Sequence, residues 1–402
     1  MKFWKRALCL GLGALLAASA LPVAAGALSE EDLTAPSAVL MEASTGKVLF
    51  EKNSHEVRAC ASITKVMTLL LVMEAIDQGR MSLTDTITAS EHASSMGGSD
   101  IWLEPGETMS ADDMVKATVV ASANDAAVAL AEHLEGTEEA FVQKMNQRAA
   151  ELGMKDTVFK NCNGLDEEGH VTSAYDVALM SRELIKHEKI FDYTTIWMDT
   201  LREGKTQIVN TNKLLKSYNG ITGLKTGTTG GAGSCITATA QRDGLSLIGV
   251  VLGSATGKER FTDAAALLDY GFSNYMIYTP GLPEEALQPV PVANGMQSQV
   301  AVESAASGSV LLTKGREKDL KTEVKLSESV EAPVAKGQQL GKIVYTLDGE
   351  VLTEYPITAA GDVEQISFFS ALGIFSQRAS AAVKLAEKRG KPVFALDEEK
   401  EV

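Results

Sequence analysis

Residues 62–79, SITKVMTLLLVMEAIDQG, are the segment that most constrains how this chain can fold. They predict a helix with apolar side chains on almost every face, ending at Gly79. Such a helix has to be buried, so the rest of its domain must pack around it. Because the segment begins with Ser62, we expect this serine to be held rigidly at the centre of that domain.

Ser62 and Lys65 are three residues apart, a spacing that places both side chains on one helical face about one turn from each other. A serine hydroxyl is a weak nucleophile until a base removes its proton. A lysine that burial and neighbouring positive charge keep unprotonated can be that base. The S-x-x-K pattern occurs by chance in many proteins, so it indicates nucleophilic catalysis only in combination with other motifs.

Two later motifs provide that combination. Ser122-Ala123-Asn124 begins 60 residues after Ser62, and Lys225-Thr226-Gly227 begins 103 residues after Ser122. The order S-x-x-K, S-D-N and K-T-G is typical of β-lactamases and penicillin-binding proteins. Here the middle motif is S-A-N, which keeps the hydroxyl and the amide. The chain therefore resembles the active-site serine penicillin-recognising enzymes.

The sequences around these motifs narrow the resemblance. They are similar to those of the D-alanyl-D-alanine carboxypeptidases, the low-molecular-weight penicillin-binding proteins. The similar segments are ASITKVMT, ASANDAAVALAEHL, ELGMKDTVFKNCNGLD, HVTSAYDVALM and GITGLKTGTTGGAGSCITATAQRDG. The resemblance covers about residues 30–278 and extends more loosely into the C-terminal part of the chain.

The resemblance implies a role for each matching catalytic residue. Ser62 would attack the carbonyl of the penultimate D-alanine in a peptidoglycan stem peptide, and Lys65 would accept its proton. Ser122 would pass a proton to the leaving D-alanine. Asn124 would hold the substrate amide and the Lys65 ammonium. Lys225 would help to keep Lys65 neutral and would polarise Ser122.

The resemblance also implies how the end of the substrate is bound. The Thr226 hydroxyl and the Arg260 guanidinium would bind the terminal carboxylate, for which a guanidinium fork is well shaped. The backbone N–H groups of Ser62 and Thr228 would form the oxyanion hole, with Gly227 in the same substrate-binding strand. β-Lactam antibiotics would then act as covalent inhibitors.

Three positions depart from related sequences or have no assigned chemistry. Cys60 stands where relatives often have proline, which predicts a nucleophile sensitive to thiol chemistry. Thr228 stands where some relatives have histidine, so the pH dependence need not match theirs. His170 matches a family position, and we interpret it as structural.

Two other functions share some of these features. A class A β-lactamase would need a glutamate in an E-x-x-x-N arrangement between Asn124 and Lys225, and none occurs there. A penicilloyl adduct on Ser62 is therefore expected to hydrolyse slowly. A non-enzymatic cell-wall binding protein or antibiotic sensor is the second alternative, and release of D-alanine would distinguish it. His55-Glu56 and His187-Glu188 lack the second histidine of a zinc H-E-x-x-H site, so we expect no metal or organic cofactor.

Charge and the N-terminal residues indicate where the chain acts. The formal net charge of −16 argues against binding to nucleic acid. Residues 1–27 begin with basic residues, continue with an apolar run and end with small residues, which predicts a secretory signal peptide. The alternative is an uncleaved membrane anchor, although the run is short for a membrane span. Three cysteines would remain after cleavage, too few for a disulfide framework.

The order of the predicted elements indicates a sheet covered by helices. The resemblance implies that this is an α/β (α+β) fold of the β-lactamase/transpeptidase type, an antiparallel sheet covered by helices with a helical subdomain. Apolar runs joined through Arg242-Asp243-Gly244 predict a hairpin next to the Lys225 motif, which would then lie on an edge strand. The predicted domains are the signal peptide (1–27), the catalytic domain (28–278), a small β-sandwich-like domain (279–366) and a C-terminal helix and tail (367–402).

The last segment predicts an amphipathic helix on the outer face of the cytoplasmic membrane, which would be a partner of the protein. Its apolar stripe contains Phe368, Leu372, Phe375, Ala379, Ala382 and Ala386. The alternative is a helix packed on the small β domain, or an unstructured tail. The acidic residues between Asp397 and Glu401 lie beyond the stripe.

Overall fold

The structure is a computed structural model that describes residues 27–304 and 308–388. Its chain divides into two compact units, one ending at Met276 and the other beginning at Ile277. The predicted signal peptide, except Ala27, and the acidic C-terminal end lie outside the described residues.

The central sheet of the first unit is antiparallel. Its strands are β1 (Ser37–Glu42), β2 (Val48–Lys52), β7 (Ile221–Thr229), β8 (Gly233–Arg242) and β9 (Leu245–Ser254). Their order in the sheet is β2-β1-β9-β8-β7, and β8 and β9 form the hairpin that the sequence predicts. Strand β7 pairs with β8 alone in this sheet, so the K-T-G motif lies on an edge, as predicted.

Helices cover both faces of this sheet. Side chains alternate along β1, so that Val39 and Met41 join the main core while Leu40 points to the opposite face. The helices are α1 (Lys65–Asp77), α2 (Glu91–Ser94), α3 (Ala111–Val120), α4 (Asn124–Glu135), α5 (Glu138–Glu151), α6 (Ala174–Leu184), α7 (Phe191–Thr194) and α8 (Gly257–Asn274). Helix α6 packs against β1 and β9 on the core side, and α8 packs against β8 and β9 on the other.

Helix α1 is the buried helix that the sequence predicts, although it begins later. Residues Ala61–Thr64 form a 3₁₀ turn, and the α-helix runs from Lys65 to Asp77. Side chains are buried on almost every side of this helix, among them those of Val66, Met67 and Leu70. Packing on every side fixes the preceding turn, so Ser62 is positioned by the core even though it lies outside the α-helix.

Short elements that periodicity did not reveal complete this unit. They are strands β3 (Thr86–Thr88), β4 (Thr108–Ser110), β5 (Met198–Leu201) and β6 (Thr206–Val209), and 3₁₀ turns at Glu30–Asp32, Glu188–Ile190 and Lys213–Lys216. Strand β3 pairs with β4 and β5 pairs with β6, and each strand has only three or four residues. An alternating pattern needs more residues than this to stand out from a loop.

The second unit is mainly β. Strand β10 (Tyr275–Tyr278) lies at the boundary between the units. The strands that follow are β11 (Val290–Ala293), β12 (Gln299–Val300), β13 (Val302–Ser304), β14 (Val310–Thr313), β15 (Lys321–Leu326), β16 (Val330–Glu331), β17 (Gln339–Leu347) and β18 (Glu350–Ala359). The 3₁₀ turns of this unit lie at Glu284–Leu287 and Glu317–Asp319. Two sheets, ordered β12-β11-β16 and β13-β18-β17-β15, share an apolar core that includes Val292, Leu340 and Ala359.

Helix α9 (Phe368–Lys388) ends the described chain. Its large apolar side chains are exposed: Phe368 at 77%, Phe369 at 82% and Phe375 at 72% of their surface. The described residues contain no helix that is both long and apolar enough to span a bilayer. These exposed aromatic side chains give α9 an apolar face that no described element covers.

Candidate active site

The three sequence motifs meet around Ser62. The 3₁₀ turn that carries this serine is followed at once by α1, so the Lys65 side chain lies beside it. Lys65 Nζ donates a hydrogen bond to Ser62 Oγ over 3.0 Å. Ser62 is partly accessible while Lys65 is fully buried. The hydroxyl can therefore meet a substrate, and the amine is shielded from water.

Two oxygens complete the surroundings of the Lys65 amine. Nζ contacts Asn124 Oδ1 at 2.5 Å and the backbone carbonyl of Asn163 at 2.7 Å. Burial lowers the pKa of Lys65 to about 7, and the nearby Asp100 and Asp125 partly oppose this shift. An amine with this pKa is substantially neutral near pH 7 and can accept the proton of a hydrogen-bonded serine.

Ser122 and Asn124 lie where α3 gives way to α4. Ser122 has a positive φ of 61°, a strained conformation that aims its side chain into the site. Its Oγ accepts a hydrogen bond from Lys225 Nζ over 2.8 Å. Asn124 Nδ2 donates to Gly97 O over 2.6 Å, so its amide is oriented with Oδ1 towards Lys65.

Strand β7 forms the wall next to Ser62. Lys225 is buried, and burial together with the Lys65 and Arg260 charges lowers its pKa well below the usual lysine range. The lowered pKa of Lys65 arises first from burial. Repulsion between the two neighbouring amines also disfavours protonation of both at once.

The next residues of β7 approach the serine backbone closely. A Cβ added to Gly227 would lie 2.8 Å from Ser62 N, a distance that real Cβ atoms do not adopt. Glycine is thus required for this strand to pass Ser62 so closely. The Thr226 hydroxyl donates to Thr211 Oγ1 over 2.6 Å, a partner that no sequence motif indicated.

Arg260 lies in the first turn of α8 and is only 9% exposed, so it is not an ordinary surface charge. Its Nη1 donates to Gly227 O and to Thr228 Oγ1, each over 2.8 Å, and more weakly to Cys235 O. The guanidinium therefore stabilises the end of β7 by hydrogen bonds and places a positive charge beside it.

The site combines an activated hydroxyl, two buried amines and a cationic strand edge. The separation of its parts in the chain is large, since Lys65 and Asn124 are 59 residues apart and Ser122 and Lys225 are 103 apart. Such an arrangement can transfer an acyl group to Ser62 from a substrate that ends in a carboxylate.

Comparison with protein families identifies the family of this chain. The sequence profile of the D-alanyl-D-alanine carboxypeptidases matches residues 24–256. The chain belongs to the D-alanyl-D-alanine carboxypeptidase family. A second profile, that of the C-terminal domain of penicillin-binding protein 5, matches residues 281–365. The fold and the family predicted from the motifs are thereby confirmed.

Individual carboxypeptidases resemble the chain over most of its length. D-alanyl-D-alanine carboxypeptidase DacF of Bacillus subtilis is 47% identical over 342 residues, which cover 84% of this chain and 88% of the relative. D-alanyl-D-alanine carboxypeptidase DacC of Escherichia coli is 35% identical over 354 residues, which cover 85% of this chain and 88% of the relative.

Solved structures agree with this assignment. Penicillin-binding protein 5 from Haemophilus influenzae matches with a TM-score of 0.73 and 30% identity, over 84% of this chain and all of that chain. Penicillin-binding protein D2 from Listeria monocytogenes, in its ampicillin-bound form, matches with a TM-score of 0.55 and 34% identity, over 60% of this chain and 98% of that chain.

The structure revises one expectation for this family member. Cys60 is completely buried, and burial raises the pKa of its thiol to about 12. A buried, protonated thiol is expected to be unreactive, so its position argues against the sensitivity to thiol chemistry that Cys60 suggested. All three described cysteines are free and buried, as expected for small apolar residues.

Sequence reasoning missed the groups that act through the backbone or at a distance. Asn163 lies in the segment NCNGLD. Every residue has a backbone carbonyl, so no sequence motif can indicate which carbonyl contacts Lys65. Asp125, next to Asn124, is buried and accepts hydrogen bonds from the backbone N–H groups of Ile101 and Leu103. Its carboxylate holds the loop that also contacts Asn124, and its place beside the S-A-N motif was the available signal.

Proposed function

We propose that this carboxypeptidase removes the terminal D-alanine from peptidoglycan stem pentapeptides through an acyl-enzyme on Ser62. The observation that carries the proposal is the fully buried Lys65 amine, whose pKa is about 7, at 3.0 Å from Ser62 Oγ. It supplies a base for the nucleophile without a histidine.

The acylation step follows from these contacts. Lys65 takes the Ser62 proton as Oγ attacks the carbonyl of the penultimate D-alanine. The developing oxyanion is received by the N–H groups of Ser62 and Thr228. Ser122, hydrogen-bonded to Lys225, delivers its proton to the D-alanine nitrogen and receives the proton held by Lys65, and the peptide bond breaks. Neutral Lys65 then takes a proton from the water that attacks the ester, and it returns that proton to Ser62 Oγ as the ester bond breaks.

The substrate's free carboxylate is proposed to lie along the end of β7. The Thr226 and Thr228 hydroxyls face this end, and Arg260 contacts Thr228 Oγ1 there. A cationic group beside two hydroxyls favours a terminal carboxylate over a continuing peptide. This is the basis for cleavage at the C-terminus of the stem peptide.

Incubation with a peptide ending in D-Ala-D-Ala, followed by mass spectrometry, tests the activity. We expect loss of one alanine with the wild-type protein and none with Ser62→Ala. Ser327→Ala, which changes an exposed serine in the second unit, is the matched control and should remain active. Absence of D-alanine release by the wild-type protein would favour the non-enzymatic sensor.

We propose that β-lactams acylate Ser62 and that the resulting covalent adduct hydrolyses slowly. Within the described chain, the hydrogen-bond partner of Ser62 Oγ is Lys65, and no carboxylate shares that position. Ampicillin is bound in the related Listeria structure. Intact-mass analysis should show a stable adduct that is absent in Ser62→Ala, whereas rapid multiple turnover of penicillin would indicate a β-lactamase.

We also propose an exported protein with the domains 28–278 and 279–366 and a C-terminal membrane-surface helix. The exposed Phe368, Phe369 and Phe375 support insertion of α9 into the interface between lipid headgroups and acyl chains. Deletion of residues 368–402 should move the protein from the membrane fraction to the soluble fraction with D-alanine release intact. Retention on membranes would contradict the anchor.

A further inference from the structure

The peptide group between Ala61 and Ser62 is held in an unusual conformation. Ala61 has a positive φ of 51°, which is rare for a residue other than glycine. The planar peptide group joins the Ala61 carbonyl to the Ser62 N–H, so the direction of one determines the direction of the other. Whatever orients the Ala61 carbonyl therefore aims an N–H of the proposed oxyanion hole.

Two glycines leave room for this peptide group without holding it. A Cβ on Gly164 would lie 2.0 Å from Ala61 O, and one on Gly227 would lie 2.8 Å from Ser62 N. Side-chain hydrogen bonding orients the carbonyl instead. The Thr64 hydroxyl donates its proton to Ala61 O over 2.9 Å.

His170 in turn determines the direction of the Thr64 hydroxyl. The backbone N–H of Lys160 donates to His170 Nδ1 over 3.1 Å, so the proton of the neutral ring is on Nε2. Nε2 lies 2.7 Å from Thr64 Oγ1 and donates to it. The threonine oxygen thus accepts from the ring, and its own proton is available for Ala61 O.

Burial maintains this arrangement. His170 is 4% exposed, and burial lowers its pKa to about 4, against the opposing influence of Glu167 and Asp166. The ring is therefore neutral near pH 7. The Cys60 thiol, 3.4 Å from Thr64 Oγ1, can donate to the second lone pair of the same oxygen. Cys60 has a place in this network, which explains how a thiol is accommodated beside the nucleophile.

We propose that His170 and Thr64 are positioning residues that aim the Ser62 N–H of the oxyanion hole through the Ala61 carbonyl. The inference rests on the proposed acyl-enzyme mechanism, because the oxyanion forms only during acyl transfer. A hydrogen bond to the Ala61 carbonyl also polarises the peptide group and strengthens its N–H as a donor.

Acylation by benzylpenicillin, measured by stopped flow, tests this role with three variants. Thr64→Val keeps the shape of the side chain and removes the hydroxyl. We expect acylation about 10- to 100-fold slower, less than the ~10²- to 10³-fold loss of a whole oxyanion-hole donor. Thr64→Ser restores the hydroxyl and should restore the rate. Thr262→Val, at an exposed threonine that also bonds a backbone carbonyl, should acylate at the wild-type rate.

The infrared carbonyl band of the acyl-enzyme separates positioning from general destabilisation. A weaker oxyanion hydrogen bond moves the ester carbonyl to higher wavenumber, so the band should rise in Thr64→Val and return in Thr64→Ser. His170→Gln, which can both donate and accept, should lie closer to wild type than His170→Leu. These two variants provide the same comparison if Thr64→Val does not fold.

The outcomes distinguish the two proposals. If the wild-type protein forms no acyl-enzyme and releases no D-alanine, the proposed function itself fails. If the wild-type protein acylates normally, and Thr64→Val or His170→Leu has an unchanged rate and an unchanged carbonyl band, the positioning role alone is overturned. A slower rate with an unchanged band would also overturn it, because the oxyanion contact would be intact.

Discussion

Gly227 lies directly against the backbone of Ser62, so that an added Cβ would stand 2.8 Å from Ser62 N. The same Cβ would lie 2.9 Å from Cys60 O and 3.0 Å from Ala61 Cβ. The two nearest of these atoms belong to the backbone, which cannot yield as the far end of a flexible side chain can. The third motif is therefore in contact with the first through main-chain packing as well as through charge.

Gly227→Ala should displace β7 from the nucleophile. We expect penicillin acylation to fall by about 100-fold, because small misplacements of catalytic groups have effects of that size. Gly230→Ala is the matched control, since a Cβ there meets nothing within 4 Å. Stopped-flow acylation rates of the two variants provide the test, and equal rates would show that the strand can adjust.

The rate of acylation should depend on the protonation of Lys65. Its pKa is lowered to about 7, and the neutral amine is the proposed base, so the rate should rise with pH below about 7 and level off above it. Below the pKa, we expect about a tenfold change per pH unit. Benzylpenicillin acylation measured from pH 5 to 9 checks this, with Lys47→Arg as a control and Lys65→Arg expected to be inactive. A profile that falls with rising pH would point to a different base.

Arg260→Gln should weaken recognition of the substrate carboxylate. Loss of a charged hydrogen bond of roughly 1.5–3 kcal/mol corresponds to about a 10- to 160-fold lower kcat/KM for a D-Ala-D-Ala peptide. Lys258→Gln removes an exposed positive charge two residues away and should have little effect. Steady-state D-alanine release measures both variants, and comparable losses would indicate only a general electrostatic influence.

The Cys60 thiol should be unreactive in the folded protein. Complete burial and a pKa raised to about 12 leave almost no thiolate at neutral pH. Incubation with an aromatic disulfide reagent should therefore leave the acylation rate unchanged in the wild type and in Cys60→Ala alike. Inactivation of the wild type but not of Cys60→Ala would show that the turn opens to solvent.

Asp125→Ala should destabilise the loop beside Asn124. The carboxylate accepts hydrogen bonds from Ile101 N and Leu103 N, and the intervening Trp102 has a strained φ of 56°. Two buried donors would lose their partner, which we expect to lower the free energy of unfolding by about 3 kcal/mol. Urea denaturation measures it, with the exposed Asp192→Ala as a control that should unfold like wild type. An unchanged midpoint in Asp125→Ala would mean that water replaces the carboxylate.

The sequence indicated the elements wherever a pattern was long enough. The apolar run after Ser62 predicted α1, and the alternating runs around Arg242-Asp243-Gly244 predicted β8, β9 and the edge position of β7. The three-residue strands β3 and β4 escaped prediction because two or three alternating positions do not differ from a loop. The 3₁₀ turn at Ala61–Thr64 was also missed, since its residues are compatible with the following α-helix.

By itself, the sequence determined the family and the residue types of the site, because Ser62, Lys65, Ser122 and Lys225 are side chains in recognisable motifs. Only the tertiary structure decided how these side chains are buried and which groups they contact. The pKa of Lys65 depends on burial. One hydrogen-bond partner of its amine is the backbone carbonyl of Asn163, and a backbone carbonyl is a group that every residue possesses. The contact of His170 with Thr64 spans 106 residues and arises when distant segments pack together. Burial and backbone direction are properties of the folded chain, so no local pattern could reveal them.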